Sequence, residues 1–186
     1  LVGSEMCIRD RIPPWREDGL DENEETLADM LARNGYKNRA IIGKWHLGHT
    51  QKVHYPLNRG FSHFYGHLNG AIDYFDLTRE GELDWHNDWE TCYDKGYSTE
   101  LITKEAVRCI NIYEKEGPFL LYVAYNAPHT PLQAQEKDIK LYCNNFDILT
   151  PKEQKKVTYQ AMVSCMDRGI CLLYTSPSPR DRQKSR

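Results

Sequence analysis

No run of apolar residues in this 186-residue chain approaches the ~20 needed to cross a bilayer. The longest, Phe119–Tyr125, is far too short, so no membrane-spanning helix is expected. Positive charge is also scarce. Lys and Arg number 24 against 27 Asp and Glu, a net charge of −3, and no basic cluster offers a face to nucleic acid. Paired C-x-x-C cysteines are absent: Cys92, Cys109, Cys143 and Cys165 lie 17, 34 and 22 residues apart. That spacing argues against a zinc knuckle or redox motif and leaves every disulfide connectivity open. No Asn-x-Ser/Thr sequon occurs. Packing material, by contrast, is plentiful. Hydrophobic residues make up 40%, with twelve Tyr and four Trp, which excludes the composition of a disordered chain.

The two ends differ from the rest. Glu5-Met6-Cys7-Ile8-Arg9-Asp10 can be written GAG ATG TGT ATA AGA GAC. The opposite strand in a shifted frame, TGT CTC TTA TAC ACA TCT, spells Cys-Leu-Leu-Tyr-Thr-Ser, which recurs as Cys171 to Ser176. Residues 1–11 and 171–186 are therefore expected to be translated sequencing-adapter DNA, and the protein's own sequence is read as 12–170.

Within 12–170, Ile12-Pro13-Pro14-Trp15 is an extended entry segment, because each proline restricts its predecessor. Leu27, Met30 and Leu31 share a face of a helix over roughly 24–33, stopped by Asn34-Gly35. Residues 36–43 form a strand whose consecutive apolar centre, Ala40-Ile41-Ile42, requires burial on both faces. A long aromatic-, His- and Gly-rich segment with little periodicity runs from Lys44 to Tyr97. Ser98 is a good N-cap for a second helix carrying Leu101, Ile102, Val107, Cys109, Ile110 and Tyr113. Gly117-Pro118 ends it before a second buried strand, Phe119–Tyr125. Thr150-Pro151-Lys152-Glu153 is a capping box starting a helix to about Arg168. This order gives an α/β domain with a mostly parallel sheet, and its two strands are too few to complete one. Both are expected to be edges of an unfinished sheet.

Ligands in open α/β sheets bind beyond the carboxyl ends of the strands. The first strand runs into Gly43-Lys44-Trp45-His46-Leu47-Gly48-His49, the second into Asn126-Ala127-Pro128-His129-Thr130-Pro131. Parallel strands would gather Lys44, His46 and His129 on one rim. A lysine and two histidines there suit an anionic tetrahedral group, with Lys as a point charge and His as a switchable donor, acid or base. His63 and His67 are four apart, but no Glu lies between them as H-E-x-x-H needs, so no zinc motif is read there. Asp84-Trp85-His86 and Asp88-Trp89 suit either a substrate pocket or aromatic loop packing.

Gly43-Lys44-Trp45-His46-Leu47-Gly48 resembles a signature hexapeptide of the sulfatase family. Arg59-Gly60-Phe61, Tyr65-Gly66, Ala71-Ile72-Asp73-Tyr74-Phe75, Phe119–Leu132 and Tyr159–Asp167 resemble, in the same order, stretches of arylsulfatases of the N-acetylgalactosamine-4-sulfatase type. The resemblance implies an alkaline-phosphatase-superfamily fold. It also implies hydrolysis of sulfate esters, including those of glycans, by a formylglycine nucleophile beside a calcium ion. By that resemblance Lys44 binds a sulfate oxygen. His46 hydrogen-bonds the formylglycine diol, and His129 contacts the ester oxygen and assists departure of the alcohol. A lysosomal or secreted setting is implied too.

The Cys/Ser-x-Pro/Ala-x-Arg nucleophile motif does not occur in 12–170, nor do recognisable calcium ligands. The expectation is a middle piece of a catalytic domain, inactive by itself. Two other readings stay open: a phosphodiesterase or phosphonate hydrolase of the same superfamily, and a sulfatase-like protein that binds sulfated glycans without hydrolysing them.

Overall fold

The computed structural model describes residues 17–175. The Ile12–Trp15 entry segment, residues 1–11 and residues 176–186 lie outside the described residues. Thr26 starts helix α1 (Leu27–Arg33) through a capping box: its hydroxyl accepts from the Asp29 N–H, and the Asp29 carboxylate accepts from the Thr26 N–H. The helix therefore begins three residues later than its apolar face suggests. Gly35, at φ 83°, follows its C-cap Asn34.

Strand β1 (Asn38–Lys44) is an interior strand of a five-stranded sheet. It pairs in parallel with β2 (His63–His67) on one side and β7 (Phe119–Ala124) on the other. The remaining edge is an antiparallel addition, β5 (His86–Asn87) and β6 (Glu90–Thr91). A separate small hairpin joins β3 (Thr78–Arg79) to β4 (Glu82–Leu83). The expectation of two edge strands is corrected here. Strand β1 is covered on both sides, because His63-Phe64-Tyr65-Gly66-His67 forms a strand without any aliphatic run. Of the two expected edges only β7 is one among the described residues, half-buried rather than buried on both faces, and β6 forms the opposite edge of the sheet.

Alternation explains why β2 holds. Phe64, level with Ile41, packs with Trp45 and Leu68 on one face of the sheet. Tyr65, level with Ile42, packs on the other with Ala40, Ile72 and Trp85. Helix α2 (Ser98–Tyr113) covers that second face with Ile102, Ala106, Cys109 and Tyr113; its N-cap is Tyr97 and not Ser98, whose hydroxyl is bonded to the Asn126 side chain instead. After the short helix α3 (Glu136–Ile139), helix α4 (Pro151–Thr175) packs against α2. Its start carries the foreseen capping box, with the Glu153 carboxylate accepting from the Thr150 N–H and hydroxyl. It runs on past Arg168 to Thr175. Met162 and Cys165 of α4 join Tyr74, Tyr97 and Ala127 in a second core. Cys92, Cys109, Cys143 and Cys165 are all free thiols, so none of the disulfide connectivities is present. No helix of the described residues is long and apolar enough to cross a membrane.

The strand ends come unusually close together. At Gly43 (φ 111°) an added Cβ would lie 2.0 Å from the Ala124 carbonyl oxygen, and at the facing Gly66 (φ 147°) 2.1 Å from the Gly43 oxygen. Side chains at either position would part the three parallel strands where they deliver their C-terminal residues.

Candidate active site

All three parallel strands end on one rim. Register sets Lys44, the last residue of β1, level with His67, the last of β2. On the other side Gly43 pairs with Ala124, so the loop carrying His129 leaves β7 beside Lys44. Beyond β1 the chain keeps to β2's extension: the Trp45 N–H donates to the His67 carbonyl (3.0 Å) and the His46 N–H to that of Leu68 (2.9 Å). Trp45 is buried, its indole N–H donating to the His54 carbonyl (2.8 Å). Anchoring Trp45 turns its neighbours Lys44 and His46 away from that core.

His46 sits at φ 60°, a left-handed conformation uncommon for a non-glycine residue and typical of constrained sites. Its ring lies directly on Gly70. A Cβ built there would stand 2.5 Å from the ring's Cε1 and 2.6 Å from Nε2. Burial lowers the pKa of the Lys44 ammonium, and burial is the whole cause of that shift. A half-buried cation of this kind gains most from an anion brought to it.

Behind these residues lies His67, fully buried and stacked on Trp85 with ring centroids 6.2 Å apart. Its Nδ1–H donates to the Asn69 carbonyl (2.8 Å), so Nε2 carries no proton, and this atom is buried without a hydrogen-bond partner. Burial above all pushes its pKa down to about 4, with the positive charges of Lys44 and His46 acting the same way against Asp84. His67 is thus a neutral floor beneath Lys44 and His46. Asp84, also buried, accepts from the N–H groups of Leu68 (3.0 Å) and Asn69 (2.9 Å) and pairs with His86 Nε2 (3.2 Å). Burial raises its pKa, but the His86 bond, the His67 charge and the two backbone donors outweigh that and hold it below the ordinary carboxylate value. Asp84 fixes the turn that carries Gly70.

His129 is held by its backbone and leaves its ring at the surface. Its N–H donates to the Asn126 carbonyl (2.9 Å), and its own carbonyl accepts from the Tyr74 hydroxyl (2.8 Å). Its Nδ1–H donates to the Thr130 carbonyl (2.7 Å), which leaves Nε2 as the outward atom. The loop is lashed down further along. Tyr74 stacks on Tyr97 at 5.6 Å, the Tyr97 hydroxyl donates to the Gln133 carbonyl (2.8 Å), and the Gln133 amide donates to Asp73 (2.6 Å). The peptide bonds before Pro128 and Pro131 are both cis.

Lys44, His46 and His67 therefore influence one another directly, while His129 stands on the same rim one loop further along. Sequence reading missed the roles of His67, Gly70 and the Tyr74–Gln133 tether, since each acts through register or loop contacts; it had offered Asp84 only as one of two open readings. Of the two aromatic pairs left open, Trp85 is core, whereas Trp89 stacks on Tyr55 at 6.4 Å. Asp84 and His86 border a polar cavity of about 480 Å³, shared with His49, Tyr55, Asn69 and Arg79. His63 and His67 do not share a site: they stand at opposite ends of β2.

Neither calcium nor a formylglycine fits the described residues of this rim. Calcium takes six to eight oxygen ligands, whereas the rim presents Lys and His, and the Asp84 oxygens are already committed. The free cysteines of the described residues lie elsewhere, Cys109 and Cys165 within the cores.

A family model described as Sulfatase matches residues 5–175. The chain is 32% identical over 173 residues to arylsulfatase J of Mus musculus, covering 86% of this chain and 27% of that protein. It is 32% identical over 132 residues to N-acetylgalactosamine-6-sulfatase of Mus musculus, 64% of this chain and 25% of the relative. Among solved structures it is similar to Ps i-CgsB in complex with k-i-k-neocarrahexaose, with TM-score 0.76, 29% identity, and coverage of 90% of this chain and 39% of the other. The chain thus spans about a quarter of the length of these two curated relatives.

Proposed function

The chain belongs to the sulfatase family, and from that premise we propose that the protein carrying it hydrolyses sulfate esters of glycans at the rim formed by Lys44, His46 and His129. The observation that carries the reading is the half-buried ammonium of Lys44, depressed by burial and set beside His46 over the neutral His67. An incoming sulfate ester supplies the negative charge this arrangement lacks. Lys44 binds a sulfate oxygen as a point charge. His46, wedged on Gly70, presents a ring donor to the reacting group. His129, with Nδ1–H committed to Thr130, directs Nε2 outward, and in the doubly protonated ring this nitrogen gives its proton to the departing alcohol, leaving the neutral imidazole. Each role answers charge that develops as the ester bond breaks.

The polar cavity beside Asp84 receives part of the sugar. Its Tyr, Asn, Arg, Asp and His groups offer both donors and acceptors to hydroxyls. A glycan substrate also accords with the N-acetylgalactosamine-6-sulfatase relative and with the neocarrahexaose bound by Ps i-CgsB. The nucleophile, read from the resemblance as formylglycine, and the calcium ligands belong on this reading to the rest of the protein. The isolated polypeptide is expected to show no turnover. The resemblance further supports a lysosomal or secreted setting.

The test is sulfate release from sulfated mono- and oligosaccharides by the full-length protein, with the matching phosphate monoesters and diesters in parallel. Sulfate release that falls about 10²-fold or more in Lys44→Ala supports the reading. Preferential phosphate turnover supports a phosphoryl hydrolase instead, and tight glycan binding with no release of either anion supports a non-catalytic binder.

A further inference from the structure

We propose that His63, Glu105 and Cys109 form a binding site for one zinc ion, at the end of the sheet opposite the sulfate-ester rim. His63 is the first residue of β2, and the last, His67, is on the rim, so the two regions are roughly 13 Å apart at a strand rise of about 3.3 Å per residue. Glu105 and Cys109 lie one turn apart on the face of α2 that meets β2. One donor atom from each residue lies within 4.8 Å of the others. His63 Nε2 is 2.8 Å from Glu105 Oε1, and Cys109 Sγ is 3.8 Å from that same oxygen. Zinc bonds of about 2.0–2.3 Å in a tetrahedron separate donors by roughly 3.3–3.8 Å. Opening the His63–Glu105 pair by about 0.5 Å and closing the widest pair by at most about 1.3 Å turns this cluster into three corners of a zinc site.

An independent feature points the same way. The other ring nitrogen, Nδ1, is 2.9 Å from Asp88 Oδ1, which also accepts the Phe64 N–H at 3.0 Å. A carboxylate fixed behind an imidazole whose other nitrogen faces the metal is the arrangement that orients zinc-binding histidines. The donor set of one nitrogen, one carboxylate oxygen and one sulfur suits zinc and excludes calcium, which prefers oxygen alone. A neighbouring cation, Arg108, holds Glu105 Oε2 through Nε at 2.8 Å and reaches Oε1 through NH2 at 2.5 Å. Its half-exposed side chain keeps the first bond while Oε1 turns to the metal. Binding displaces a proton from His63 Nε2 and one from the Cys109 thiol, both released to solvent, and water completes the fourth position. None of this was visible as a motif, because His63 lies 42 residues before Glu105.

The test titrates the chelator-stripped full-length protein with cobalt and then zinc. The expected result is a thiolate-to-cobalt charge-transfer band that zinc abolishes and that is missing in Cys109→Ser. Asp88→Asn should weaken zinc binding about 10–100-fold. X-ray absorption of the zinc-loaded wild type needs no variant to fold, and should show one sulfur at about 2.3 Å among lighter ligands. A calcium site elsewhere gives neither signal. The proposal is overturned by a folded wild type without the thiolate band, by a band that survives Cys109→Ser, or by a zinc shell without sulfur. Each result stands whether or not the protein hydrolyses sulfate esters.

Discussion

Gly70→Ala should cripple the rim while leaving the fold almost untouched. The three atoms nearest an added Cβ all belong to the His46 ring, at 2.5, 2.6 and 3.0 Å. Carbon atoms rest at about 3.5–4.0 Å, so the ring must move by about 1 Å. A displacement of that size at a reacting group costs on the order of 10²-fold in rate, or about 2.7 kcal/mol of barrier. The backbone at Gly70 is not in the left-handed region, so alanine is conformationally allowed. Stability should therefore change by no more than about 1 kcal/mol, with reduced unfolded-state entropy partly offsetting the ring's displacement. The assay is kcat on an aryl sulfate and the urea midpoint, for Gly70→Ala alone and combined with His46→Ala. Once the ring is gone the methyl has nothing to displace, so the double variant should be no slower than His46→Ala. An unchanged kcat in Gly70→Ala, or the same penalty in both backgrounds, refutes the reasoning.

Two further outcomes rest on the rim's geometry and one on the sequence of the ends. His67 has a folded pKa of about 4 against 6.5 for the free group; the unfolded chain binds the extra proton between those values, so stability falls as pH drops through this window, by at most about 3 kcal/mol. The slope of urea stability between pH 7 and 5 should flatten in His67→Phe, and an equally steep slope would show that His67 is not buried as a neutral group. Asp84→Asn should cost about 3 kcal/mol at pH 7, because an amide cannot accept from both backbone N–H groups and His86. The carboxylate's pKa is depressed, so its contribution is present above the ordinary value of 3.8 and is lost as pH falls below it; the gap between Asp84→Asn and wild type in unfolding titrations should narrow there, and a pH-independent gap contradicts the assignment. Genomic sequence should depart from this chain before about Ile12 and after about Ile170, whereas contiguous exons encoding both ends with the middle would remove the adapter reading.

What the sequence disclosed divides along a physical line. Strand β1, helix α2, strand β7 and the start of α4 were legible, because unbroken apolar runs, amphipathic spacing and a capping box act within one segment. Strand β2 was not. Its Phe64 and Tyr65 are core residues only because register sets them level with Ile41 and Ile42, and nothing in His-Phe-Tyr-Gly-His announces that partner. The site divides in the same way. Lys44, His46 and His129 were visible as chemically suited residues at strand ends. His67 beneath them, Gly70 against the His46 ring and Asp84 behind the turn depend on contacts between segments that local patterning does not encode. The His63, Glu105 and Cys109 cluster joins a strand to a helix 42 residues later and escapes motif reading for that reason.

The central claim is that this rim expels an alcohol from a sulfate ester with His129 supplying the proton. The most direct measurement is kcat for full-length wild type and His129→Ala over aryl sulfates of graded phenol pKa. The account predicts turnover by the wild type and a loss in the variant that grows with leaving-group pKa, reaching about 10²-fold or more for the poorest. A uniform loss across the series, or no turnover of any aryl sulfate by the wild type, would contradict it.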